Sequence, residues 1–298
     1  MRVPARGLSF ARAPPHPTGM SFSYIRLSEP ELDVSLVVPV RDESESVGLL
    51  AEEIGRALGT GAWEWECVWV DDGSRDGTLR LLEQLHSNDP RHRYVRLDGP
   101  HGQSAALAAG LSRTRGAVLV TLDGDGQMDP ADIPGLLRTL EERGADAVLG
   151  WRRGRRDRLV KRLASRIANA FRNRLTGEEV RDVGCSLRAF RRECARGLLV
   201  FRGMHRFLPT LLRLNGARTV VEVPVSHRPR RHGRSKYGIR DRLWVGIGDT
   251  LAVRWMGRRS VRPKLKGESP APGDQGSKSP VPEAGPASGG PPPGRRRS

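Results

Sequence analysis

The sequence predicts an α/β fold: a mostly parallel central sheet with helices on both faces, followed by a C-terminal amphipathic helix. Two observations carry this expectation. Short apolar runs bounded by turn residues alternate with helical patterns, as strands and crossover helices do in parallel sheets. Two of those runs end in acidic clusters, Asp71-Asp72 and Asp123-Gly124-Asp125, and open α/β sheets place ligands at the carboxyl ends of their strands.

The predicted strands are residues 34–40, 66–70, 93–97, 117–122 and 145–150, near-continuous Val/Leu-rich runs of the kind buried on both faces. Helical patterns fall between them at 44–58, 78–85, 103–112 and 133–143. After Trp151 the character changes. Basic helical segments are predicted at 159–175, 187–199 and 206–214, then a strand at 219–225 and a basic, glycine-containing loop from His232 to Gly238. The last pattern, 240–259, repeats Leu243, Trp244, Ile247, Leu251 and Trp255 at near-helical spacing between arginines. Such a helix either lies in a membrane interface or packs onto the domain.

Of 298 residues, 37% are apolar, enough for one sizeable core or two small ones. The ends differ from that core. Residues 1–30 are Arg- and Pro-bearing with no acid before Glu29, and 261–298 are dominated by Pro, Gly, Ser and charge; both are expected to be disordered. The prolines of the first twenty residues argue against an amphipathic targeting helix, and a tail upstream of a second start at Met20 is the plainer reading. This leaves 31–238 as the catalytic domain and 239–260 as the amphipathic segment.

Net charge is +17, and residues 151–202 hold 16 Arg and Lys against five acids. A patch of this kind attracts a polyanion: nucleic acid, anionic lipid or a phosphorylated substrate. Cys67, Cys185 and Cys194 lack Cys-x-x-Cys spacing and fit reduced thiols in a cytoplasmic setting. No apolar stretch approaches the ~18 residues of a membrane span, so a membrane role is expected to be peripheral, at the inner face.

Asp123 and Asp125 suit a hard divalent cation that carries a nucleotide diphosphate. An ordinary Asp-Gly turn is the competing reading. A calcium loop beginning at Asp123 is excluded, because its sixth and twelfth places hold Met128 and Pro134 in place of Gly and Glu. If Asp71 and Asp72 share the same sheet edge, four carboxylates converge, and a cation or hydrogen-bond donors must accompany them. The first strand runs into Arg41-Asp42-Glu43-Ser44-Glu45 and not into Gly-x-Gly-x-x-Gly, which argues against a dinucleotide-binding dehydrogenase.

With Val38-Pro39-Val40-Arg41-Asp42-Glu43, Asp71-Asp72-Gly73-Ser74 and Asp123-Gly124-Asp125-Gly126-Gln127, the chain resembles the family 2 glycosyltransferases, which have the GT-A nucleotide-sugar fold. Further motifs sharpen the resemblance to the polyprenyl-phosphate sugar transferases, the dolichol-phosphate mannose synthase group. These are Asp182-Val183-Gly184-Cys185-Ser186-Leu187-Arg188-Ala189-Phe190-Arg191, Gly203-Met204-His205-Arg206-Phe207-Leu208-Pro209 and Gly233-Arg234-Ser235-Lys236-Tyr237. One departure stands out: many relatives have Tyr-Asn where this chain has Arg41-Asp42.

The resemblance implies an inverting, metal-dependent transfer of a sugar from a GDP-mannose- or UDP-glucose-type donor to a polyprenyl phosphate. By motif, Pro39, Val40, Glu43, Asp71 and Asp72 would border the nucleotide, and Asp123, Asp125 and Gln127 would hold Mg2+ or Mn2+. Arg234 and Lys236 would close over the diphosphate. Arg152, Arg153, Lys161, Arg162, Ser165 and Arg166 fall where relatives hold the lipid phosphate, a good match for Arg forks and a Ser hydroxyl. The other cations then form a face attracted to an anionic membrane. Asp182 would orient an Arg or donor hydroxyls, and His205 and Arg206 would line the acceptor cleft. A phosphate acceptor, with a second pKa of ~6, is already anionic and needs no dedicated base.

Three competing readings share some of these features. A transferase acting on a sugar hydroxyl shares the fold and metal site, but its processive members carry a Gln-x-x-Arg-Trp segment that this chain lacks. A sugar-phosphate nucleotidyltransferase would show a Gly-rich, Lys-containing loop after the first strand. A specific nucleic-acid binder would show a recognised motif or aromatics interleaved with its Arg clusters, and aromatics are only 5% of this chain.

Overall fold

The structure, a computed structural model, describes residues 23–59, 61–153, 173–175, 177, 180–229 and 239–259, with side chains from 248 onward in the last stretch. Lys161, Arg162, Ser165, Arg166, Arg234 and Lys236 lie outside the described residues. So do most of the helix predicted at 159–175 and the tails at 1–22 and 261–298.

The chain order is β1 (Ser23–Tyr24), β2 (Leu32–Val40), α1 (Ser44–Leu58), β3 (Trp65–Asp71), α2 (Thr78–Asn88), β4 (His92–Arg96), α3 (Gln103–Leu111), β5 (Gly116–Thr121), α4 (Ile133–Glu142) and β6 (Ala147–Arg152). Then come β7 (Arg188–Arg191), β8 (Leu199–Val200), α5 (Leu208–Leu214), β9 (Val220–Val225) and α6 (Ile239–Arg259). The main sheet has seven strands in the order β4-β3-β2-β5-β7-β6-β9. Strands β4, β3, β2 and β5 pair in parallel, β7 is antiparallel to both neighbours, and β9 is parallel to β6.

Alternation along the strands divides the core. Val34, Leu36, Val38 and Val40 of β2 pack with Leu50 and Ile54 of α1 and Leu136 and Leu140 of α4. Val37, with Val68 and Val70 of β3, faces Leu107 and Leu111 of α3 and Leu208 and Leu211 of α5. Period-two strands between helices on both sides must bury both faces, and every residue of β3 is buried.

Two expectations are corrected. Residues 187–199, predicted helical, form β7, a 3-10 turn at Arg192–Ala195 and β8. Phe190 pairs with Leu119 of β5 and with Ala147 of β6, so the segment fills a gap between strands whose backbone groups would otherwise lack partners. The order also begins before residue 30. Strand β1 pairs with β8, Ile25 is 2% exposed in the core, and the Arg192 guanidinium donates to the Ser28 carbonyl (2.8 Å). Residues 23–28 therefore belong with the folded domain.

Helix α6 packs inward through Thr250 and Val253, and a Cβ on Gly257 would lie 2.9 Å from Leu214 of α5. Outward it shows Leu251 and Trp255, 51% and 63% exposed. Of the two fates foreseen for this helix, packing onto the domain is the one its inward face takes.

At the amino ends of the strands a polar cluster around one buried carboxylate joins four of them. Glu66 of β3, 0% exposed, accepts from Ser35 Oγ (2.7 Å), Arg93 Nη1 (2.7 Å), and both the backbone N–H (2.7 Å) and Nε (3.0 Å) of Arg115. Ser35 Oγ in turn accepts from Gly116 N–H (2.7 Å). Burial alone would raise the carboxyl's pKa, but Ser35, Arg93 and Arg115 together hold it below the ordinary value of 4.5.

A depressed folded pKa gives stability that is complete above the unfolded value and is lost as pH falls through the folded one. Glu66→Gln should therefore lower Tm at neutral pH, with the gap to wild type closing as pH drops below about 4.5. Glu66→Ala, which leaves the buried Ser35 hydroxyl and the Arg115 backbone N–H without their acceptor, should cost about 1–3 kcal/mol in denaturant titrations at pH 7.

Candidate active site

The chain leaves β2, visits β3 and β4 on one side, and returns to β5 on the other. This makes the carboxyl ends of β2 and β5 a topological switch point, the usual ligand crevice of an open α/β sheet. A cavity of about 860 Å3 opens there, within the range that holds a small-molecule ligand. Of the residues the sequence singled out, Pro39, Asp123, His205 and Arg206 line it.

Asp123 follows β5 directly. Its carboxylate accepts from Gln103 Nε2 (2.7 Å), and its backbone N–H donates to Ser186 Oγ (3.3 Å). Burial and the neighbouring charge of Asp125 push its pKa up to about 6, against the opposing pull of Ser186, Arg188 and Arg152. Asp125 Oδ1 accepts from the Gln127 N–H (3.1 Å), which closes the loop on itself. Gly124 is required between them: a Cβ there would lie 2.4 Å from Val40 Cγ1 and 3.0 Å from the Pro39 carbonyl oxygen.

Asp71 and Asp72 do something else. Asp71 Oδ1 accepts from the Ser74 N–H (3.0 Å), and Asp72 takes the N–H groups of His101 (2.7 Å) and Gly102 (2.9 Å) at the start of α3. Gly73, at φ +69°, fits under that loop, since a Cβ would lie 2.8 Å from the Gly99 carbonyl carbon. Of the two companions foreseen for converging carboxylates, a cation or hydrogen-bond donors, the β3 pair has the donors: backbone N–H groups take up Asp71 and Asp72. Val40 is buried in the core beneath the site, and Glu43 accepts from Ser46 Oγ (2.9 Å) at the start of α1.

Asp182 holds Arg152 in a two-pronged pair, Nε to Oδ2 at 2.7 Å and Nη2 to Oδ1 at 2.9 Å. Gly184 leaves room for it, as a Cβ would come within 2.8 Å of Arg152 Nη2. Arg153 is exposed, with its N–H on the Val225 carbonyl (3.3 Å). His205 Nδ1 shares a hydrogen bond with Ser104 Oγ (2.8 Å), which also accepts from the Gly203 N–H (3.0 Å).

Sequence reasoning missed Gln103, Ser104, Arg202 and Asp249 of the cavity wall, and gave no role to Arg188, which lies within the 182–191 motif. Arg188, buried in β7, donates to the carbonyls of Val183 (2.8 Å) and His205 (3.1 Å) and so holds the two halves of the wall together. Asp249 reaches the cavity from α6, and its Oδ2 meets no hydrogen-bond partner among the described residues. Gln103, Ser104, Arg202 and Asp249 carry no local sequence signal, because each is brought in by tertiary contact.

The donor set fits a hard divalent cation. Two adjacent carboxylates, one resisting ionisation while its neighbour is charged, are relieved by a cation between them, and Mg2+-type ions take one or two carboxylates plus substrate phosphates. Among the described residues no group of three or more His, Cys, Asp and Glu is placed to hold an ion, so a substrate would supply most of its ligands.

Gly124→Ala should force the end of β2 from the loop, costing about 1–3 kcal/mol by overpacking. Displacement of Asp123 and Asp125 should lower kcat/KM on the order of a hundredfold, read in steady-state turnover.

Comparison with known proteins agrees with this geometry. Residues 35–199 match Glycosyl transferase family 2. The chain is 38% identical over 235 residues to the dodecaprenyl-phosphate galacturonate synthase of Rhizobium johnstonii, covering 78% of this chain and 69% of that protein. It is 40% identical over 206 residues to the undecaprenyl-phosphate 4-deoxy-4-formamido-L-arabinose transferase of Pseudomonas fluorescens, covering 68% and 60%. The homonymous enzyme of Photorhabdus laumondii gives 36% over 219 residues, 73% and 65%. The chain therefore spans between 60% and 69% of the length of these relatives. Among solved structures, glucosyl-3-phosphoglycerate synthase of Mycobacterium tuberculosis with Mn2+, UDP and glucosyl-3-phosphoglycerate superposes with a TM-score of 0.54 at 22% identity, over 76% of this chain and 80% of that one. The likeness is one of fold, the GT-A arrangement. Sheet, switch-point crevice and sequence agree, and the chain belongs to glycosyl transferase family 2.

Proposed function

We propose that this enzyme moves a sugar from a nucleoside-diphosphate donor to a polyprenyl phosphate, with inversion at the anomeric carbon. The carrying observation is one cavity whose wall holds Asp123 on one side and Arg202, His205 and Arg206 on the other. The relatives named for dodecaprenyl- and undecaprenyl-phosphate support the acceptor, and the fold neighbours solved with UDP or UDP-glucose make uridine nucleotides the first donors to test.

Asp123 and Asp125, with Gln127 beside them, would hold Mg2+ or Mn2+. The ion would supply charge neutralisation to the diphosphate. The remaining chemistry falls to the chain. The acceptor's phosphate oxygen attacks as an anion, so no side chain needs to remove a proton from it. Asp182 is engaged with Arg152 and His205 Nδ1 with Ser104, which suits positioning roles better than base catalysis. Arg202 and Arg206 orient and offset the acceptor phosphate, with Lys161, Arg162, Ser165 and Arg166 completing that side. Arg234 and Lys236 meet the departing diphosphate.

No helix among the described residues is long and apolar enough to cross a membrane. The outward Leu251 and Trp255 of α6, near Arg254, Arg258 and Arg259, support peripheral seating on the inner face of an anionic membrane.

Asp125→Ala should abolish transfer and the Tm rise given by UDP with Mn2+, while its apo Tm stays near wild type; full turnover in that variant removes the metal-site reading. Lys161→Ala with Arg162→Ala should raise KM for the lipid phosphate on the order of tenfold and leave that for the nucleotide sugar nearly unchanged. An equal rise in both would place the acceptor elsewhere.

A further inference from the structure

Strand β9 closes the far edge of the sheet, yet the chain leaving it crosses back to the loop that follows β5. Ser226 N–H donates to Asp132 Oδ2 (2.6 Å), His227 forms an antiparallel bridge with Met128, and Arg228 N–H donates to the Gln127 carbonyl (2.8 Å). These contacts lay a short second ladder along the outer side of the loop that carries Asp125.

The Arg228 side chain locks that ladder. Its Nη1 lies 2.8 and 2.9 Å from the two Glu53 oxygens on α1, and its Nη2 lies 2.5 Å from Asp129 Oδ2. All three side chains are mostly buried, at 27%, 15% and 21% exposed, so the pairing is shielded from solvent far better than a surface ion pair. Glu53 sits on a helix packed into the core, Asp129 two residues after Gln127. The guanidinium, planar and forked, serves both acids at once, whereas one ammonium cannot match the two directions.

We infer that Arg228 is a positioning residue: it clamps the Asp125–Asp129 loop to helix α1 and so sets where Asp125 and Gln127 stand toward the nucleoside diphosphate. It does so from outside the cavity. Without it, Glu53 and Asp129 would face each other unneutralised, and the loop would keep only the buried Met128 side chain and the contacts of residues 226–228. The kinetic consequence rests on the proposed sugar transfer; the clamping itself does not.

Hydrogen exchange on the full chain, read with kinetics, tests this. In Arg228→Ala, amides within residues 126–131 should exchange faster on the order of tenfold while those of β2 and β3 stay protected. Asp129→Asn, which keeps the Glu53 pair and so preserves the fold more gently, should raise exchange at the same amides. Arg228→Ala should also lower kcat/KM for the nucleotide sugar on the order of ten- to a hundredfold with the KM for polyprenyl phosphate unchanged. Arg228→Lys should recover part of both effects. Unchanged exchange at 126–131, a rise spread evenly through the sheet, or an equal increase in both KM values would overturn the inference. Should wild type itself transfer no sugar to polyprenyl phosphate, the functional reading falls, and the exchange result alone decides for or against the clamp.

Discussion

The buried carboxylate of Glu66 is the constraint on which the geometry of the crevice depends. It ties β3 to Ser35 of β2 and to the backbone that starts β5, at the amino ends of all three strands. Side chains alternate along a strand, so a slip by one residue would turn every core side chain outward. With the amino ends pinned, the carboxyl ends arrive level: Val40 pairs with Asp71, and Val37 with Thr121, two residues before Asp123. Gly116 is part of the same lock, since a Cβ there would lie 2.4 Å from the Ser35 nitrogen. One edge of the sheet is closed by satisfied polar contacts, leaving the opposite edge for chemistry.

That working edge is built from loops that hold one another. Asp42, at φ 51° in the left-handed region that Asp and Asn tolerate, donates its N–H to Ser74 Oγ and accepts from the Arg75 N–H. Glu43 and Ser44 donate theirs to Thr78 and Asp76. The Arg41 side chain beside it lines the cavity.

Strands β2 to β6 and helices α1 to α4 were legible in the sequence because their signals are local: runs of Val and Leu, and apolar residues recurring at helical spacing. Residues 187–199 were not legible as a strand, since what makes them one is two distant partners, β5 and β6. The acidic motifs show the same limit more sharply. Asp71-Asp72 and Asp123-Gly124-Asp125 look equivalent on paper. The first pair is claimed by amides at Ser74, His101 and Gly102, the last two contributed by a loop far along the chain, and no pattern within the motif announces that. Gln103 and Asp249 were missed for the same reason.

Charge explains why such an arrangement is kept. On the proposed reaction two anions, a diphosphate and a lipid phosphate, must come close within one cavity, and two unit charges 4 Å apart repel by about 4 kcal/mol at an effective dielectric of 20. Cations on the acceptor side and a cation held at Asp123 and Asp125 on the donor side would each offset part of that repulsion while keeping the two phosphates apart. Burial and the neighbouring Asp125 charge raise the Asp123 pKa to about 6, a cost that such a cation would offset. Donor and ion binding would then favour each other, because each lowers the cost of the other. The rigid amino edge makes this tolerable: the unfavourable charges are confined to loops that Glu66, far across the sheet, never has to hold.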